Sequence, residues 1–261
     1  MPISEKHAPG SFCWMELRTT DQDAGKQFYS SLFGWEVMDI PMGPAGVYTI
    51  FRLQGKDCAA ACTVKEHEPP NWAIYIATDN VDESTGRVTE LGGKVLMEPF
   101  DVPPSGRMSV VLDPSNVCFC LWQANLTAGI GILNENNAFC WADLNTPDRA
   151  GAKEFYSGMF GWTFVTGKDA TGKEKDESGY WHIMNGGHGI GGVPPVEYQP
   201  RGVPPHWLLY YQVADCRAMT AKAKELGARV LMEPTTIEGQ LMFSVVADPQ
   251  GAAFALFQPG K

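Results

Sequence analysis

Asp143, His206 and Tyr210 are the residues of this chain best suited by type to move a proton. Strand alternation places them on one side. In FCWADL (139–144), Cys140, Ala142 and Leu144 form an apolar face, which leaves Trp141 and Asp143 on the other. In the segment that follows PPHW, the same logic turns His206, Tyr210 and Gln212 toward that side. A carboxylate on an apolar, aromatic wall has its charged form disfavoured, which makes it competent as a general base near neutral pH. The tyrosine or histidine would then stabilise an enolate-like oxygen. The same residues admit a second reading, in which the acid serves as an acceptor for hydrogen bonds from a neighbouring strand or an indole.

These residues sit in a repeat. FCWMEL (12–17) returns as FCWADL 127 residues later, as FYSSLFGW (28–35) returns as FYSGMFGW, and PPNW (69–72) returns as PPHW after 135. The first copy offers Trp14 and Glu16, with Tyr75 and Trp122 farther on, and carries Asn71 where the second carries His206. Phe257 stands in the second copy where Trp122 stands in the first. Trp14, Glu16, Tyr75, Trp122, Trp141 and Phe257 are therefore the candidate ligand-binding walls of two clefts. Asp143, His206 and Tyr210 are the candidate catalytic set.

The elements that must position them follow from periodicity. Each half opens with an alternating strand, then a helix with one apolar stripe: Ala24, Phe28 and Leu32, or Gly151, Phe155 and Met159. Thr20 or Asp21 can cap the first helix, and Thr146 before Pro147 can cap the second. Gly34 and Gly161 end them where a left-handed residue is needed. Short strands follow, and past a Pro-rich joint the order restarts, so the chain reads as four βαβββ units. The predicted organisation is a domain over 1–124, a linker over 125–138 and a second domain over 139–261. Two inserts break the symmetry: Gly167–Gly179, rich in charge, and Pro194–Pro205. NGGHGIGG (185–192) reads as a hairpin.

Composition excludes several classes. The net charge is −10 with no basic cluster, which makes nucleic acid an improbable partner. No apolar run approaches the roughly 18 residues of a membrane span, and the opening MPISEKHAPG has no signal-peptide core, so a cytoplasmic protein is expected. Seven cysteines cannot all pair and read as buried thiols. Cys118 and Cys120, with Cys62, form a weaker soft-metal alternative.

The paired βαβββ units, the FYxxLFGW helix end and the closing DPxxxxFxLxQ (Asp113–Gln123, Asp248–Gln258) resemble the vicinal oxygen chelate superfamily, which includes glyoxalase I, extradiol dioxygenases and bleomycin-resistance proteins. The resemblance implies an α+β fold, a tandem duplication of a glyoxalase-like domain with two bowl-shaped sheets and helices outside. It also implies metal ligands on opening and closing strands. Carried over, those positions hold Trp14, Ala61 or Cys62, Ala73, Cys120, Trp141, Leu208, Ala255 and Gly191 or Gly192. A divalent ion needs oxygen or imidazole donors. The usual ligand positions are not filled, so no cofactor is predicted there, with a weakly held divalent metal as the alternative. The resemblance thus implies a small organic molecule as partner, handled by proton-transfer, lyase or hydroxylase-type chemistry; the alternative is metal-free sequestration of the bleomycin-resistance type. A monomer or a homodimer fits either.

Overall fold

The computed structural model describes residues 6–64, 68–167, 179–237 and 241–260, apart from the side chain of Ala45. Four βαβββ units follow one another. The first comprises β1 (Phe12–Thr19), α1 (Gln22–Phe33), β2 (Glu36–Pro41), β3 (Val47–Leu53) and β4 (Lys56–Thr63). The second comprises β5 (Asn71–Ala77), α2 (Val81–Glu90), β6 (Lys94–Val102), β7 (Gly106–Leu112) and β8 (Cys118–Ala124). The third is β9 (Phe139–Asn145), α3 (Arg149–Phe160), β10 (Thr163–Thr166), β11 (Trp181–Asn185) and β12 (His188–Val193). The fourth is β13 (His206–Gln212), α4 (Cys216–Glu225), β14 (Arg229–Ile237), β15 (Leu241–Ala247) and β16 (Ala253–Gln258).

The strands form two mixed eight-stranded sheets in the same order, β2-β3-β4-β1-β5-β8-β7-β6 and β10-β11-β12-β9-β13-β16-β15-β14. Both sheets are open at their edge strands, and the fold is α+β. In β1 the alternation is plain: Cys13, Met15 and Leu17 have no exposed surface, and Glu16 lies on the opposite face.

Helix ends follow the local chemistry. Asp21 caps α1 by accepting from the Ala24 amide at 3.0 Å. For α3 the cap is Asp148, which accepts from the Gly151 amide at 2.9 Å, rather than Thr146. Pro147 cannot donate, so the helix starts one residue after Asp148, whose carboxylate reaches the first turn. Thr146 instead bonds the Ser115 hydroxyl at 3.1 Å. Gly34 and Gly161 end the helices at φ 74° and 69°. The helical stripe includes buried Phe28, Leu32 and Phe155, while Met159 is only half-buried. Its centre is one residue over, at Tyr29 and Tyr156, neither of which has exposed surface. Gly186 and Gly187, at φ 57° and 84°, turn the hairpin between β11 and β12. Residues 168–178 of the charged insert, with His67, lie outside the described residues.

Packing divides the chain differently from the repeat. One compact unit comprises Met1–Cys13, Ile74–Gly129 and Trp141–Trp207, and the other comprises Trp14–Ala73, Ile130–Cys140 and Leu208–Lys261. Each takes one βαβββ unit from either half. In the first unit α2 packs on α3, with Leu91 against the bare Gly158. There the Tyr156 hydroxyl donates to Asp113 Oδ2 at 3.2 Å, and Asp113 Oδ1 accepts the Ser115 and Val117 amides at 2.8 Å each. In the second unit α1 packs on α4, and Lys222 Nζ donates to the Leu32 carbonyl at 3.0 Å. There the Tyr29 hydroxyl donates to Asp248 Oδ2 at 3.0 Å and accepts from Trp72 Nε1 at 3.0 Å. The stretch 125–138 is packed rather than loose. Ala128, Ile130 and Ile132 are buried, and the Gly131 amide donates to the Asp57 carbonyl at 2.7 Å.

Removing a hydroxyl from a buried pair leaves its carboxylate short of a donor. Tyr29→Phe and Tyr156→Phe should each lower unfolding free energy by roughly 1–3 kcal/mol. Urea denaturation measures this, and a loss of only a few tenths in both variants would show the pairs to be incidental.

Candidate functional site

The acid of the second repeat is held by two aromatic side chains. Tyr180 donates its hydroxyl to Asp143 Oδ1 at 2.5 Å, and Trp141 Nε1 lies 3.1 Å from the same oxygen and 2.8 Å from the Tyr180 hydroxyl. Asp143 is 6% exposed. Burial, and then the charge of Asp143, push the Tyr180 phenol well above its ordinary value, so Tyr180 remains a donor across the physiological range. Three features place it. The Arg149 guanidinium, at the start of α3, donates to the Gly179 carbonyl just before it and lies 4.1 Å from the Trp181 ring centroid just after it. Gly192 on β12 stands opposite Asp143, and a Cβ there would overlap the Tyr180 ring. The ring occupies the place of a side chain.

The first repeat builds the same triad. Tyr48 on β3 donates to Glu16 Oε2 at 2.8 Å and accepts from Trp14 Nε1 at 3.0 Å. Gln22, at the start of α1, donates to the Val47 carbonyl just before Tyr48, at 3.2 Å. The Cys62 thiol covers the other oxygen, Oε1, at 3.4 Å. Burial, followed by Glu16, raises that thiol and keeps it protonated. Trp14 is buried whereas Trp141 is half-buried, so the second triad exposes more of its indole, while the acids are alike at 8% for Glu16 and 6% for Asp143. His182 is nearby, with its ring centroid 5.1 Å from Tyr180 and 6.1 Å from Trp141.

The other predicted residues have different settings. His206 donates Nδ1–H to the Pro204 carbonyl at 2.9 Å, because a carbonyl only accepts; this leaves Nε2 an acceptor. Burial pushes its pKa below the ordinary value. It faces a cavity of about 230 Å³ beside Asn145, under the segment 194–205. Tyr210 belongs to the other compact unit and packs on Phe243 and Phe257, at centroid distances of 5.8 and 6.4 Å. Its counterpart Tyr75 meets Trp122 edge-on at 6.5 Å. Cys13, Cys58, Cys120 and Cys216 are buried, as expected of inert thiols, but Cys118, the first residue of β8, is exposed.

The family model described as Glyoxalase/Bleomycin resistance protein/Dioxygenase superfamily matches twice, over residues 11–121 and 138–256. This chain belongs to that superfamily. It is 38% identical to "Putative glyoxylase CFP32" of Mycobacterium tuberculosis (strain CDC 1551 / Oshkosh), over 99% of this chain and 98% of that one. It is 32% identical to "Anthracycline biosynthesis protein DnrV" of Streptomyces peucetius, over 97% and 94%. Among solved structures, the Mn(II)-bound glyoxalase from Novosphingobium aromaticivorans shares the fold, with a TM-score of 0.66 at 17% identity over 97% of this chain and 83% of that one.

Among the described residues, no three His, Cys, Asp or Glu side chains lie together as a metal-binding group. At Gly192 a ligand side chain and the Tyr180 ring could not coexist; in the first repeat Ala61 offers no donor, and the Cys62 thiol is protonated and bonded to Glu16. The two tyrosines are what the reading of strand alternation passed over. Their signal was available: Tyr48 and Tyr180 each follow the loop whose length differs between the copies, and they precede Ala60 and Gly192 by the same interval.

Two outcomes follow from this geometry. Gly192→Ala should expel Tyr180 from Asp143 while the fold persists, since the atoms displaced are the far end of one side chain; the Trp141 indole N–H resonance should move in a ¹H–¹⁵N spectrum. An unchanged resonance would contradict the packing. His206 should titrate by NMR below about 6.5. Since the unfolded chain takes up that proton first, stability should fall as pH drops through about 6.5 toward the folded-state midpoint.

Proposed function

We propose that this protein carries out proton transfer on a small oxygenated organic molecule at the second repeat, with Asp143 as base and Tyr180 as the neutral donor beside it. The observation that carries this is the 2.5 Å Tyr180–Asp143 hydrogen bond, braced by Trp141. A base needs a partner that stabilises the oxygen on which charge develops, and a phenol kept protonated by burial can shift from the carboxylate to that oxygen. No step needs the superfamily's metal. The two relatives named for a glyoxylase and for anthracycline biosynthesis support an oxygenated organic substrate.

A second reading has its own support. The first repeat has an equivalent triad sealed by Cys62, so the arrangement can stand as structure alone. Two hydrogen bonds to one oxygen also make a carboxylate a weaker base. On this reading the aromatic walls hold a planar molecule without chemistry, as metal-free binding proteins do.

Exchange with solvent separates the two. In D₂O, a panel of 2-hydroxy and 2-oxo carbonyl compounds should show protein-dependent loss of the α-proton signal for at least one member. Asp143→Asn should slow it by about 10²–10⁴-fold, and Glu16→Gln should leave it within a few-fold. Absence of exchange across the panel, together with saturable quenching of tryptophan fluorescence by a planar ligand, would decide for binding.

A further inference from the structure

We infer that the cavity beneath residues 194–205 is a binding site for a compact 2-hydroxy carboxylate, its carboxylate facing Arg201 and its hydroxyl donating to His206 Nε2. The cavity lies within one compact unit and is lined by Asn145, Pro147, Val196, Arg201, Val203 and His206, among others. Four observations converge on a ligand. Asn145 is 6% exposed, makes no side-chain hydrogen bond among the described residues and lines the cavity, so its amide is available to a molecule bound there. Arg201 pairs with no carboxylate among the described residues, in a chain with a net charge of −10. Val196 and Val203 line the cavity and are 47% and 51% exposed, an apolar surface that a ligand would cover. His206 has its Nδ1–H committed to Pro204, so its remaining nitrogen accepts and does not donate.

This donor set selects the ligand. A guanidinium prefers a carboxylate or phosphate. A neutral imidazole presenting a lone pair repels a second anionic oxygen and welcomes a hydroxyl, which disfavours a fully ionised phosphate. A carboxylate and a hydroxyl on adjacent carbons supply both, with the Asn145 amide able to serve either. The volume of about 230 Å³ falls below the roughly 300–1,000 Å³ of sites for drug-sized molecules, so the ligand is small. The loop is built to hold its shape: Gln199 Nε2 donates to the Thr146 and Pro194 carbonyls at 3.0 Å each, and prolines limit the backbone on both sides. Asn145 lies two residues beyond Asp143 on the same face of β9, about 7 Å along the strand. Taking this ligand as the substrate rests on the proton-transfer reading above; the binding itself does not.

The test is calorimetric titration of the full chain with lactate, with lactamide as the neutral isostere and propionate as the analogue lacking the hydroxyl. Lactate should bind saturably, lactamide about tenfold or more weakly, and propionate several-fold more weakly. Arg201→Gln, an exposed position whose change does not threaten folding, should lose about tenfold. Asn145→Asp, which keeps the shape and adds a negative charge, should lose at least as much. Glu16→Gln, in the other compact unit, should bind lactate like the parent protein, and because the titration reads binding without turnover, a chemical reading that fails in the exchange experiment leaves this one standing. Equal binding of lactate and lactamide, an Arg201→Gln variant that binds like the parent, or no saturation up to tens of millimolar would each overturn the assignment.

Discussion

A buried tyrosine hydroxyl is stabilised by an acceptor, and two such pairs join one half of the chain to the other. Tyr29, in the opening helix of the first half, finds Asp248 in the closing turn of the second; Tyr156, in the second half, finds Asp113 in the first. Each aspartate already organises its turn through backbone amides, two at Asp113 and three at Asp248. Burial holds both carboxyls above their usual range, with the surrounding donors opposing it. One motif in the helix and one in the turn are therefore complementary across the duplication. The compact units draw on both halves, whereas the strand order of each sheet follows a single half.

With the scaffold secured in this way, the opposite face of the opening strands is released for other uses. Trp14 and Glu16 leave it at alternate positions, as do Trp141 and Asp143, and in both cases a tyrosine at or just before the third strand of the unit closes the triad. The helix start tethers that tyrosine through the carbonyl before it, by Gln22 in one copy and Arg149 in the other. The substitution of arginine for glutamine adds a cation over Trp181 and matches the longer loop that precedes Tyr180. The two copies thus retain one hydrogen-bonding plan while differing in what surrounds it: a thiol at Glu16, a glycine at position 192 facing Asp143.

The fold was legible because the signals that specify it are local or repeated. Alternation in β1 and β9, the glycine ends of α1 and α3, and the offset between copies all act within a few residues or recur intact. The cap of α3 was misplaced by two residues, since Thr146 and Asp148 are both competent and only the turn containing Ser115 decides which is free to cap. The site was legible by face and not by partner. Asp143 and Trp141 share a face, as expected, yet the hydroxyl that Asp143 accepts comes from Tyr180, across a segment that sequence spacing does not bridge. His206 and Tyr210 share a strand in sequence, but their surroundings are a proline-lined cavity for one and Phe243 with Phe257 for the other. Period-two alternation reports orientation; it does not report which side chain from a distant strand arrives opposite.

Gly192 shows how a scaffold of this kind can exchange one chemistry for another. A strand position opposite the acid can carry a side chain that reaches inward, or carry none and admit a ring from the neighbouring segment; the two states exclude each other sterically. In this chain the ring is present, and it brings a hydroxyl whose proton burial retains. The acid thereby gains a neutral hydroxyl donor at Oδ1, beside the indole of Trp141. Under the proposed function, that carboxylate accepts a proton from the bound molecule and the phenol beside it follows the charge. That coupling depends on the absence of a single methyl group, which makes the glycine as much a part of the site as the residues that carry its functional groups.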